Sequence, residues 1–177
     1  MPTRTHHRTR KGRAYLKGSS HTNAMISLEY EMTYRETIDG PLPSTEGSPF
    51  GECLCWQIVA GTLVGPRINA KIATSGTDWM RLGPDGVRRQ DLRAQLVTDD
   101  GVTILLHYDT GLIRASETFL RALRDGEETA WADQYMRMVP EFIVGGEQYA
   151  WLNHSLFLAE GRLSGCHEIE YSVYRVL

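Results

Sequence analysis

Between Gly65 and Arg114 the chain places charged side chains on strand-like segments instead of only in the turns between them. Asp78-Trp79 precedes a Pro84–Gly86 turn, and Asp91-x-Arg93 follows it at a comparable distance. The two aspartates are therefore expected to be cross-strand neighbours. Two carboxyls in one low-dielectric pocket repel each other, and the pKa of one rises. Such a pair could serve as acid and base for moving a proton beside a carbonyl. The plainer alternative is an Asp–Arg ion pair, Asp78 or Asp91 with Arg81 or Arg93, that stiffens the sheet.

Further candidates follow the same two-residue periodicity. His107 is a candidate proton shuttle, histidine being the residue type suited to that role, and Tyr108 shares a face with Ile104 and Leu106. His107 reads equally as a packing residue, and Tyr108 as a lumen-lining hydroxyl donor. Tyr135-x-Arg137 and Trp151-x-Asn153 each set an aromatic ring and a polar group on one side of a strand, since residues i and i+2 point the same way. An aromatic wall with a guanidinium or amide suits a ring-bearing, oxygenated ligand. An inward Arg137 needs a carboxylate partner, which Asp78 or Asp91 could supply. The candidate catalytic set is thus Asp78, Asp91, Tyr108, Tyr135 and Arg137. Trp79, Asn69, Arg93, Trp151 and Asn153 are the candidate ligand contacts. All of this depends on which face of each strand looks inward: Arg89, Asp91, Arg93 and Gln95 share one face, while Leu92, Ala94 and Leu96 share the other.

The elements that must hold these residues are mostly strands. Met25–Ile38 alternates, with Ile26, Leu28, Tyr30, Met32 and Tyr34 opposite Ser27, Glu29, Glu31, Thr33 and Arg35. The Pro- and Gly-rich stretch 40–51 reads as a loop, either a lid or a plain crossover. Strands are expected over Glu52–Leu63, Arg67–Thr74, Thr77–Leu82, Val87–Thr98 and Val102–Asp109, with Asp99-Asp100-Gly101 as a hairpin turn. Ser116–Arg124 reads as the helix, with Ser116 as N-cap and Gly126 ending it. Ala130–Val144, Tyr149–Ala159 and Glu168–Val176 complete about nine strands. Their short spacing points to an all-β, antiparallel barrel or sandwich. The barrel is favoured because several strands are polar on one face yet carry aromatics, as in Tyr135, Arg137 and Val139 opposite Met136 and Met138, and a barrel of about eight strands can hold one small ligand.

Composition narrows the function. The 177 residues suit one domain, with 41% hydrophobic and 23% charged residues and a net charge of −3. Residues 1–24 hold Arg4, Arg8, Arg10, Lys11, Arg13 and Lys17 with no acid, and are expected to be a basic tail outside a 25–177 body. That body sets 13 basic residues against 22 acids, which argues against nucleic acid as a partner. No apolar run is long enough for a membrane-spanning helix, and cytoplasmic residence is expected. Cys53, Cys55 and Cys166 make no disulfide framework, and with His167 they match no usual zinc spacing. Gly61 to Gly65 lacks the Lys-Ser/Thr ending of a phosphate loop, and there is no nucleophile elbow or dinucleotide fingerprint. No cofactor is expected.

The segments GPRINAKI, SGTDWMRLGPDGVRRQDLRAQL, LLHYDTGLIRAS, DQYMRMVPEF and YAWLNHSLFLAEGRL resemble those of a bacterial and fungal family, domain of unknown function 3237. The resemblance covers about residues 25–177. It implies an antiparallel β-barrel of lipocalin-like appearance and no particular reaction. Residues and resemblance together lead to the expectation of a small-molecule-binding barrel. The favoured activity is cofactor-free proton transfer of the isomerase, lyase or cyclase type on a partly apolar, oxygenated substrate. A non-catalytic carrier or sensor is the alternative, and polar strand faces forming a homo-oligomer interface a third.

Overall fold

A computed structural model describes residues 26–177; the expected basic tail lies outside the described residues. Ten strands form one antiparallel sheet: β1 (Leu28–Leu42), β2 (Glu52–Gly65), β3 (Ile68–Ile72), β4 (Gly76–Leu82), β5 (Arg88–Thr98), β6 (Thr103–Ala115), β7 (Gln134–Met138), β8 (Glu141–Val144), β9 (Phe157–Gly165) and β10 (Glu168–Val176). The ladders run β1–β2–β4–β5–β6–β7–β9–β10 and return to β1. The result is barrel-like. Two positions in the ring are split: β3 and β4 share the space between β2 and β5. Similarly, β7 and β8 divide the edge of β6.

Both splits have local causes. Val139-Pro140 interrupts the expected single strand Ala130–Val144, because proline cannot donate to a ladder. That stretch is instead a 3₁₀ turn (Trp131–Asp133) followed by β7 and β8. The expected strand Tyr149–Ala159 begins as a short helix, α2 (Ala150–Asn153), and only then enters β9. The helix α1 (Glu117–Asp125) forms as expected. The Ser116 hydroxyl accepts from the Phe119 amide at 3.1 Å, and Gly126 takes the left-handed conformation (φ 73°) that closes it. Phe119 and Ala122 are its buried residues.

Inside, the ring is solid at one end. Met32, Leu63, Leu96, Ile104, Leu106, Phe157 and Val173 are at most 1% exposed. Tyr34, Tyr108 and Tyr171 form a buried aromatic layer, with ring centroids 6.0 Å apart for Tyr34–Tyr171 and 6.5 Å for Tyr108–Tyr171. Close approach at this layer requires Gly161: a Cβ there would lie 2.4 Å from Met136 Sδ and 2.5 Å from the Tyr171 ring.

Candidate functional site

The other end of the interior is hollow. A pocket of about 400 Å³ opens there, bounded by α1 (Phe119, Leu120, Leu123) and by Gly40-Pro41 at the end of β1. Its walls are mainly apolar, contributed by Leu54, Trp56, Met80, Ile113 and Ile169, and they carry Glu36, Asp78 and Gln90. Glu36 and Asp78 are each 3% exposed and Gln90 is 1% exposed.

Strand pleat puts them there. Glu36 continues the inward series Met32, Tyr34, and Asp78 lies between the inward Gly76 and Met80. Gln90 belongs with Leu92, Ala94 and Leu96. Register does the rest. Residues paired across a ladder share a face, and Asp78 pairs with Leu92, so both look inward.

The two carboxyls are held differently. Asp78 accepts from Gln90 Nε2 at 3.1 Å and from the Asp91 backbone amide at 3.0 Å. Burial raises its pKa to about 6, against the pull of those two hydrogen bonds, which favour the ionised form. Burial raises Glu36 further, to about 8, opposed by the Tyr34 hydroxyl nearby and reinforced by the charge of Asp78. Neither Glu36 Oε2 nor the Tyr34 hydroxyl makes a well-formed hydrogen bond within the protein. At neutral pH the pocket thus holds one carboxylic acid, Glu36, and one carboxylate, Asp78. Gln90 Nε2 also donates to the Tyr171 hydroxyl at 3.2 Å, tying the carboxyls to the tyrosine layer. Burial pushes the three tyrosines well above their ordinary pKa, so they remain neutral.

Of the residues singled out from sequence, Asp78 lies in this pocket and Tyr108 in the buried layer behind it, 1% exposed. The others do not join them. Asp91 sits one residue out of phase with Leu92 and faces outward, where it meets Arg93 at 3.6 Å and His107 Nε2 at 3.6 Å. The expected Asp78–Asp91 pair is corrected to Asp78 and Glu36. Arg93 is exposed on the outer wall. Tyr135 and Arg137 share a face as the periodicity requires, but it is the outer one. Arg137 pairs there with Glu160 at 2.9 Å and lies 5.1 Å from the Tyr135 ring centre. Trp79 is 55% exposed. Asn69 donates to Asp99 at 2.6 Å on the surface. Trp151 and Asn153 belong to α2, not to a strand. Arg67 stacks on the Trp151 ring at 3.8 Å. The Asn153 amide accepts from Val144 N at 3.0 Å and donates to Val144 O at 2.8 Å, standing in for a ladder partner at the end of β8. Among the described residues no group of three or more His, Cys, Asp or Glu side chains is arranged to hold a metal.

Glu36, Gln90, Tyr34 and Tyr171 were not singled out from sequence. Parity carried the signal for the first three: Glu36 has the phase of Met32 and Tyr34, and Gln90 that of Leu92.

The family model described as "Protein of unknown function (DUF3237)" matches residues 26–176. The chain belongs to this family. A UPF0311 protein of Bradyrhizobium diazoefficiens is 26% identical over 102 residues; the match spans 58% of this chain and 66% of that relative. Among solved structures, a conserved protein of unknown function from Rhodopseudomonas palustris superposes with a TM-score of 0.77 at 23% identity, covering 88% of this chain and all of that one. A beta-barrel like protein from Acinetobacter baumannii gives 0.72 at 23% identity, over 89% of this chain and 100% of that one. A structure described as an enzyme from Penicillium herquei gives 0.62 at 20%, over 90% and 99%. These likenesses establish the fold: antiparallel and barrel-like. Among the described residues no helix is long and apolar enough to cross a membrane.

Proposed function

We infer that the pocket beneath α1 binds a small, partly apolar, oxygenated molecule and moves a proton on it without a redox step. The observation that carries this reading is that two buried carboxyls, Glu36 and Asp78, face one pocket with different hydrogen-bonding surroundings. Asp78, held ready to ionise, is the base; Glu36, held protonated, is the acid. Together they serve enolisation, isomerisation, elimination or addition next to a carbonyl. The apolar walls lower the local dielectric, which strengthens the interaction of the Asp78 carboxylate and the Glu36 acid with a bound substrate. The Penicillium structure described as an enzyme agrees with a catalytic use of this fold.

The test is deuterium incorporation from D₂O into a panel of ring-bearing ketones and enones, followed by mass spectrometry. Binding is established separately by the shift in melting temperature. Wild type is expected to exchange the α-proton of at least one bound compound, fastest between about pH 6 and 8, where Asp78 is ionised and Glu36 is not. Glu36→Gln and Asp78→Asn should each lose about 100-fold or more, and Glu160→Gln, on the outer wall, should lose nothing. Compounds that bind without any exchange would overturn the proton-transfer reading and leave a carrier.

A further inference from the structure

We propose that the pocket selects substrates bearing an anionic group, a carboxylate or phenolate, and that Arg88 at the pocket wall receives it. This rests on the proton-transfer reading only for what happens at the other end of the substrate. The subsite itself is argued from Arg88.

Two arginines line the pocket, and the protein treats them differently. Arg124 is held by the neighbouring Asp125, Nε to Oδ1 at 3.2 Å. Arg88 is half-buried and has no carboxylate within ion-pairing distance among the described residues. Glu52, at the start of β2, acts on it only at longer range, and burial costs the guanidinium part of its preference for charge. Its neighbour Arg89 points the other way and is taken up by Asp85 at 2.6 Å. A partly desolvated guanidinium without a carboxylate partner carries a charge that a ligand anion can compensate, and its five fixed donors match a carboxylate in bidentate fashion.

Position makes this a ruler. Arg88 is the first residue of β5 and has the phase of Gln90, which bonds Asp78. Two residues along a strand span about 7 Å, roughly the width of one substituted ring. A ligand held by Arg88 would therefore present the atoms one ring away to the Gln90–Asp78 pair. The opposite orientation would set the anion against Asp78, where like charge opposes it. The pocket is thus polarised along its length, cationic at β5's first residue and carboxylic deeper in.

Calorimetric titration of the full chain at pH 7 with 2-naphthoate and its neutral counterpart 2-naphthamide tests the proposal. Neither probe has an exchangeable α-proton, so binding is read apart from turnover. Wild type should bind the carboxylate about tenfold or more tightly than the amide, an advantage typical of a charge-assisted contact. Raising the salt should narrow that gap. Arg88→Gln should bring the two affinities within about twofold while leaving the amide's affinity unchanged, and Arg88→Lys should retain part of the preference. Circular dichroism confirms that each variant is folded. Equal affinities in wild type, a preference surviving in Arg88→Gln, or no binding of either probe would each overturn the proposal. Carboxylate preference with no proton exchange on any bound ketone keeps the anion subsite and defeats the proton-transfer reading. Exchange on neutral ketones without carboxylate preference does the reverse.

Discussion

Replacing Glu36 with glutamine should make the protein more stable, and more so as pH rises. The folded chain holds a proton on Glu36 up to about pH 8, whereas an unfolded glutamate releases it near 4.5. Between those values the native state binds more protons than the unfolded one, so stability falls with increasing pH. The difference of three and a half pH units, at about 1.4 kcal/mol each, is a penalty on the order of 5 kcal/mol once pH exceeds 8. At pH 7 about 3 kcal/mol of it is already felt. Glutamine has the same shape and no charge to desolvate, so it carries no such slope. Urea unfolding of both proteins from pH 5 to pH 9 isolates the effect of Glu36 and its coupling to Asp78, because titrating groups that do not interact with Glu36 cancel in the difference. The stability gap should widen steadily and level off near pH 8. A gap constant to within about 1 kcal/mol across that range would refute the argument that Glu36 is buried as an acid.

Asp78→Asn should show the same sign over a lower and narrower window, from about pH 4 to about pH 6, with an amplitude of about 3 kcal/mol in a urea series extended down to about pH 3. Ser116→Ala removes the cap of α1 and should lower stability by about 1 kcal/mol, read as a drop in melting temperature. Gly161→Ala forces a methyl against the Tyr171 ring and Met136; a loss of about 1–3 kcal/mol, with a changed near-ultraviolet tyrosine signal, is expected. Asn153→Ala strips both bonds from the Val144 backbone and should cost about 1–3 kcal/mol, with faster hydrogen exchange at the Val144 amide. Arg137→Ala breaks an outer-wall ion pair, a bond to the Met136 carbonyl and the contact with the Tyr135 ring, all partly exposed, and should change stability by less than about 1 kcal/mol.

Strand identity was legible in the sequence wherever apolar and polar residues alternate cleanly, and Glu168–Val176 matches β10 residue for residue. The site was half legible. The two faces of β5 were separated correctly, but the richer display of charge on Asp91 and Arg93 drew attention to the face that meets water. Between Arg88 and Thr98 at its two ends, the inward face carries one polar group, Gln90, among aliphatics, and a lone buried amide makes little show. Bulges added to the difficulty. At Asp109-Thr110 the β5–β6 register slips, so that Leu92 pairs with Tyr108 but Gln90 with Gly111. Inward positions then pass from even numbers (Ile104, Leu106, Tyr108) to odd ones (Gly111, Ile113). No alternation rule crosses such a point. The short α2 defeated the reading of Trp151 and Asn153 because four residues are too few to show a helical period.

The division of the interior into a filled half and an empty half has a consequence for how this scaffold can change. Met32, Leu63, Ile104, Leu106 and Val173 anchor the foundation, so cohesion does not depend on what lines the upper chamber. Leu54, Met80, Ile113 and Leu120 can be exchanged for larger or smaller neighbours at modest cost, reshaping the room while its footing stays put. Diversity among such proteins should therefore concentrate in the chamber and its helical roof, with the ground floor held nearly fixed.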